Sequence, residues 1–351
     1  MTATPEVAPA PDLSHYSDYA DLAAEIHRLK AVPLAWVRSS LKVPFANFGD
    51  ALSPVVATAL SRLPVAHRAF DGRNLRLAAV GTIGQNQRNG TVHVWGTGFD
   101  AAHGRMAESG RYVAPPDTQF VIHAVRGPNS RRTLLQAGLH APAVYGDPGW
   151  VLPRIFPRIL PQGEATPGTE LGVIPHISEL ATPQPEPLMR VGLARYEGGT
   201  EEGVRIIPTY HEPSMAGFRG KLDEILGCRR IASTSFHGLI LADAYGIPCA
   251  LLSGSLPPGP HIIPLPESAG LLDHRVADFY LGTGRRNLLV YGQPTGQPTD
   301  WAALIRAIDR HYQPFAHDHT GLLEAFPVRP AIDPTAARWP LPADFEQLLR
   351  W

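Results

Sequence analysis

The sequence predicts an α/β chain built from two Rossmann-like domains, and three observations carry that reading. The first is the stretch Arg229 to Leu252, which reads as strand, sharp turn, helix, stop and strand. The second is the alternation of short apolar runs with helical patterns along the first 140 residues, the mark of a mainly parallel sheet. The third is the Pro- and Gly-rich break between Gly149 and Gly168, beyond which a second alternating series opens at Leu171. With 351 residues the chain can bury two cores of this kind.

The elements follow in order. Residues 1–13 are rich in Pro and Ala and read as disordered. The N-terminal domain, residues 14–160, starts with a helical pattern over Tyr16–Leu29 and a first strand at Leu34–Val37. A loop carrying Asn47 and Gly49 leads into a helix that runs to about Leu63, with Pro54 placed in its first turn. Arg76–Val80, Val92–Trp95 and Phe120–Val125 read as strands, and Asn129–Ala137 reads as a helix stopped by Gly138. The C-terminal domain, residues 161–315, opens with a strand from Leu171 towards His176. Met189–Ala194 and Val204–Pro208 read as further strands, Phe218–Leu226 and Trp301–Tyr312 as helices. The segment 316–351 ends in a short helix from Asp344, free to pack back on the first domain.

In the stretch that opens this reading, Ile231-Ala232 enter as a buried strand and Thr234 or Ser235 serves as N-cap. Phe236–Tyr245 is apolar enough to be a buried helix, Gly246 suits its C′ position and Pro248 stops it. Ser233, Ser235 and His237 therefore stand at the carboxyl end of a strand and the amino end of a helix, where open α/β sheets bind ligands and where an anion is favoured.

Composition narrows the function. The 31 Lys and Arg against 32 Asp and Glu leave a net charge of −1, so no basic surface for nucleic acid is expected. The two cysteines, Cys228 and Cys249, lie at strand positions and read as buried thiols. His311, His317 and His319 lack a completing ligand set, so no metal is expected. The N-terminus shows no basic-then-apolar signal and no apolar run reaches the ~20 residues of a membrane span, which points to a cytoplasmic enzyme.

Five motifs occur in a fixed order: Asn47-Phe48-Gly49-Asp50, Val94-Trp95-Gly96-Thr97-Gly98, Arg126-Gly127-Pro128, Tyr145-Gly146-Asp147-Pro148-Gly149, and Ser233-Thr234-Ser235-Phe236-His237-Gly238 followed by Ala244-Tyr245-Gly246-Ile247-Pro248. Together they resemble the polysaccharide pyruvyl transferase family. The resemblance implies a glycosyltransferase B-like pair of domains facing across a cleft, the acceptor on the N-terminal side and the donor on the C-terminal side. It implies transfer of pyruvate from phosphoenolpyruvate to two hydroxyls of a sugar, as a cyclic ketal, in an exopolysaccharide or cell-surface glycan precursor. No cofactor is needed beyond the donor substrate. A lipid-linked acceptor, and with it peripheral association at the inner face of the membrane, is compatible with the resemblance. A nucleotide-sugar glycosyltransferase of the same architecture and a catalytically silent saccharide-binding protein are the alternatives; the first requires a ribose-binding acid, for which Glu267 is available.

The resemblance makes His237 the donor-site histidine, as anion ligand or as the acid that protonates the methylene carbon. Ser233 and Ser235 are donor contacts or helix caps. Many relatives carry Arg where this chain has Ser235, so cations must come from elsewhere: Arg126 after a strand, and Arg195 after the expected strand at Met189–Ala194. His176 matches a Pro-His at the start of the second domain and would line the cleft. On the acceptor side stand Asn47, Gly96, Gly98 and Asp50, the last as helix cap or as base for an attacking hydroxyl.

Overall fold

A computed structural model describes residues 12–101, 107–108, 110–158, 168–199, 203–349 and 351. The expectation for residues 1–11, like residues 159–167 of the Pro- and Gly-rich break, falls outside them.

Two open sheets carry the described chain. The first has five strands, all parallel, in the order Val65–His67, Val32–Ala35, Arg76–Ala78, Gly90–Trp95, Thr118–Ala124. The second has six, in the order Val204–Ile206, Leu171–Ile174, Ile231–Ser233, Cys249–Ser253, Asn287–Gly292, Gly259–Pro264. Only the last of these runs antiparallel, at the edge. Its Pro260 and Pro264 fit there, because proline cannot donate to a ladder on both sides. The mixed α/β class with parallel sheets is thus as the alternation predicts.

The predicted strand–helix–strand unit is present. Ile231–Ser233 pairs in parallel with Cys249–Ser253, and the helix between them spans Phe236–Ala244. Gly246 follows it at φ +67°, the left-handed conformation that closes a helix. Both cysteines are buried free thiols.

Three readings need correction. Met189–Ala194 is not a strand: Met189 makes one isolated bridge to Leu180, Gly192 takes φ +88°, and Ala194–Tyr196 is a 3-10 turn. Its alternation of apolar residues has no neighbouring strand to meet, and Val191 stands fully exposed. Pro54 is not in a first turn, because the helix starts at Phe48. Proline there cannot donate to the carbonyl of Asp50, one turn earlier. Asp344 stands at the start of the Phe345–Leu348 turn but its side chain makes no cap.

The halves share a continuous core. Phe48 at the head of the Phe48–Ser61 helix stacks on Phe218 of the Met215–Leu226 helix, with centroids 4.5 Å apart and rings 11° from parallel. Ala46–Asn47 pairs antiparallel with Tyr210–His211, so the loop after the first strand is stitched to the chain that enters the second sheet. Asp278, in the His274–Gly282 helix, accepts from the N–H groups of Asn129 and Ser130 and so caps the Pro128–Gln136 helix from the other half. The C-terminal segment lies against the first half: Trp95 donates to the carbonyl of Leu322, Ala331 N–H to Leu60 and Trp339 N–H to Arg154. No helix among the described residues is long and apolar enough to cross a membrane.

Candidate active site

Two helix N-termini meet where the carboxyl edges of the sheets approach. Ser233 leaves its strand with a fully buried hydroxyl 3.0 Å from the carbonyl of Ile174, and the same oxygen accepts from the N–H of Ser235 at 2.9 Å. Ser233 therefore shapes the turn from inside, and its hydroxyl is committed to backbone. Ser235 is the N-cap residue by position, yet no side chain caps this helix. Its first-turn N–H groups and positive dipole end are left for another partner.

His237 sits in that first turn with its side chain 14% exposed. Its Nε2 lies 3.6 Å from Oδ2 of Asp147, and neither atom has a hydrogen-bond partner among the described residues. The other carboxylate oxygen of Asp147 accepts from Gly149 N–H at 2.9 Å, which fixes the acid's direction. The opposite edge of the imidazole lies on Gly49: a Cβ there would fall 2.4 Å from His237 Nδ1. Glycine at 49 is thus what lets the two helix starts touch.

Asp50 follows on the same turn. It is not the helix cap; Asn47 is, accepting from Asp50 N–H at 3.3 Å while its amide donates to Thr209 Oγ1 at 2.8 Å. Both ends of the Asn47 amide are therefore used inside the protein. The Asp50 carboxyl is pushed up by burial from its ordinary 3.8 to about 6, with the nearby His237 pulling it the other way. A histidine and two aspartates, Asp50 and Asp147, thus converge from three separate motifs.

Arg126 is placed deeper than the sequence suggested. Its side chain is fully buried, with the guanidinium 4.8 Å over the Phe236 ring, Nη1 donating to Thr82 at 2.8 Å and Nε 3.8 Å from Asp278. Nε and Nη2 have no hydrogen-bond partner among the described residues. Burial lowers its pKa, with Asp278 and Asp147 opposing. Gly98 exists to admit it, since a Cβ there would fall 2.0 Å from Nη2. Gly96 likewise faces protein, 2.5 Å from Pro148 by the same measure. The space beside both glycines is filled by the chain itself.

His176 and Arg195 belong to a scaffold under the Thr234 turn. Glu179 accepts from Arg195, from Thr234 Oγ1, from Tyr196 hydroxyl at 2.9 Å and from His176 N–H at 3.1 Å. Arg195 is buried in that ion pair. The His176 ring meets Ser178 Oγ through Nδ1 at 2.7 Å and Arg275 Nη1 through Nε2 at 3.1 Å, and burial holds its pKa down at about 4. A neutral His176 accepts from Arg275, which is also paired with Asp273.

Sequence reasoning missed Arg275, its neighbour His274 and the role of Asp147. His274 Nε2 lies 3.2 Å from Asp100, joining the second half to the loop after the Gly90–Trp95 strand. The His274–Gly282 helix carries no recognisable motif, so only its packing reveals these two. Asp147 stood within a quoted motif, and a carboxylate between Gly146 and Pro148 was the available signal. Glu267 is exposed in a 3-10 turn beyond the edge strand. No group of three or more His, Cys, Asp or Glu residues suited to a metal occurs among the described residues.

A search of curated proteins and of solved structures matched none. The model of the family described as "Polysaccharide pyruvyl transferase" matches residues 82–255, a span that begins at Thr82 on Arg126, takes in Asp147 and ends beyond His237. That segment, which holds most of the cleft just described, is similar to the polysaccharide pyruvyl transferase family.

Proposed function

We propose that this chain transfers pyruvate from phosphoenolpyruvate to two hydroxyls of one saccharide, forming a cyclic ketal, with the two sheets acting as the halves of a glycosyltransferase B-like cleft. The carrying observation is the uncapped start of the Phe236–Ala244 helix with His237 on its first turn, opposite a carboxyl group whose pKa is about 6. The phosphate takes the free N–H groups of that helix. Ser235 stands at that start, Arg275 would supply a cation from its place on His176, whose N–H bonds Thr234, and Arg126 adds positive charge from behind Phe236.

The chemistry assigns the side chains. A proton from His237 to the methylene carbon leaves an oxocarbenium-like centre at C2, and the first hydroxyl adds there. Phosphate departs with the C2–O bond, and the second hydroxyl closes the ring. Of the two hydroxyl protons, one replaces that given to carbon and one leaves with phosphate. Asp50, poised near neutral pH, is the base for the hydroxyls, and Asp147 holds the imidazole. Arg195, through Glu179, is a positioning residue for the Thr234–Ser235 turn. Asn47 sets the first turn that presents Asp50.

The test is donor consumption. Full-length protein is incubated with an extract of lipid-linked saccharides and either phosphoenolpyruvate or nucleotide sugars. Phosphorus NMR follows inorganic phosphate and proton NMR follows the ketal methyl group. Release of phosphate together with a new methyl singlet is expected; consumption of a nucleotide sugar with phosphoenolpyruvate untouched overturns the reading.

A further inference from the structure

A cavity of about 510 Å³ opens beside the cleft, at the carboxyl ends of the Val32–Ala35 and Val65–His67 strands. It falls in the size range of small-molecule sites. The Gly84–Asn86 turn closes one side, and that turn begins two residues after Thr82, the partner of Arg126. The cavity therefore opens at the same carboxyl edge as Gly81, which follows the neighbouring Arg76–Ala78 strand and lies against Asp50.

Its walls are held from beneath. Arg76 is fully buried and donates to the carbonyls of Phe70, Gly72, Asn74, Arg88 and Asn89 at 2.6–3.1 Å, and to the Gln87 side chain at 2.7 Å. Arg88 N–H adds a bond to the Phe70 carbonyl at 2.7 Å. One guanidinium thus fixes the two loops, 70–74 and 87–89, that form the rim. A fixed rim is a pre-organised one, and its groups need little ordering when a ligand arrives.

The groups on that rim are unspent. The side chains of Arg38, Asp71, Asn86 and Arg88 make no hydrogen bond or close ion pair with any described residue. The half-buried Phe70 ring lies among them. His67 gives one ring nitrogen to the Trp36 carbonyl at 3.1 Å, and burial, with Arg38 and Arg68 adding to it, lowers its pKa. With His67 neutral, two guanidinium groups face one carboxylate, a surplus of one positive charge. An aromatic face among planar amide, carboxylate and guanidinium groups suits a sugar ring, apolar on its C–H face and ringed by hydroxyls. The surplus charge suits a carboxylate on that ring.

We infer that this pocket binds an acidic sugar residue of the acceptor, held on Phe70 with its carboxylate on Arg88 and Arg38, so that a neighbouring residue of the same saccharide reaches the cleft. The inference rests on the acceptor being a saccharide; it does not depend on the donor.

Calorimetry on the full chain, without phosphoenolpyruvate, tests it with oligosaccharides containing glucuronate, galacturonate or mannuronate, uncharged glucose oligomers, and inorganic phosphate. At least one acidic series should bind roughly tenfold or more tightly than the uncharged one. Phe70→Ala and Arg88→Ala should each weaken that binding by about tenfold or more, with unchanged circular dichroism. No binding by any acidic series, no preference over glucose oligomers, inorganic phosphate competing as well as the saccharide, or insensitivity to both rim variants would each overturn it. Loss in His237→Ala with retention in Phe70→Ala would move the saccharide to the cleft and also overturn it. Phosphoenolpyruvate titrated into the same preparation reports separately on the donor, so a failed donor reading is told apart from a failed pocket.

Discussion

The helices that meet at the cleft begin in opposite ways. Phe48–Ser61 is capped by Asn47, whose amide also reaches Thr209. Phe236–Ala244 has no side-chain cap, although serine stands at the right position. A cap consumes an N–H that could otherwise meet an anion, and it quiets the positive end of the helix. The capped start carries a carboxyl group; the open start carries an imidazole. The difference teaches that a favourable capping residue does not close a helix by its position alone: Ser235 makes no cap, while the turn before it is held by the Ser233 hydroxyl. In the proposed reaction it would also separate the labour, the open end taking a negatively charged donor and the capped end a neutral group that gives up protons.

The hardest blow to that division is His237→Ala. Loss of the proposed acid should cut turnover by roughly 10²–10⁴-fold, the range for general acid catalysis. The fold should persist, because the ring has no hydrogen bond through Nε2 to lose. Steady-state kinetics with circular dichroism check both. His237→Gln sharpens the assignment: partial activity means an anion ligand, and collapse means an acid.

On the capped side, Asp50→Asn should lower turnover by about 100-fold with phosphoenolpyruvate affinity kept. It also has a stability signature. The folded carboxyl holds its proton more tightly than the unfolded one, about 6 against 3.8. Folded protein therefore binds more protons between those values, and stability falls as pH rises through that window. Asn escapes the loss. The variant should be more stable at pH 7 by roughly 1–3 kcal/mol, less any solvent screening, with the gain gone below about pH 4. Urea unfolding at pH 3.5 and 7 reads this directly, and an equal difference at both values would assign the effect to packing.

Arg275→Ala tests whether the open end gets its cation from the neighbouring helix. Losing one charged hydrogen bond to the donor should raise its dissociation constant by roughly 10- to 100-fold. Unchanged affinity in calorimetry would leave Arg275 as the partner of His176 and Asp273 alone.

Much of this arrangement was legible before any coordinates. The parallel sheets and the unit around His237 follow from local patterns, because strand, turn and helix lie within 20 consecutive residues. Asn47, Asp50 and Arg126 could be placed at strand ends for the same reason. What could not be read is how distant turns meet. Nothing local says that Gly49 receives the His237 ring, that Gly98 receives Arg126, or that Asp147 lies 3.6 Å from an imidazole 90 positions away. Arg195 shows the same limit: its fate was set by Glu179, which no motif marked.

The smallest expected effect compares the two helix starts most directly. Asn47→Ala removes a cap and a bond to Thr209, whereas Ser235→Ala removes a residue that caps nothing. The first should cost about 1–2 kcal/mol of stability, the usual worth of an N-cap with a further hydrogen bond. The second should stay within about 0.5 kcal/mol, as for a substitution that breaks no bond in the fold. Function should run the other way. Ser235→Ala takes a hydroxyl from the open start and should weaken phosphoenolpyruvate binding by about threefold to tenfold, while Asn47→Ala leaves the donor alone. Chemical denaturation and donor titration on the two variants give four numbers. If Ser235→Ala is the destabilised one, its helix is capped in solution and the open anion site does not exist.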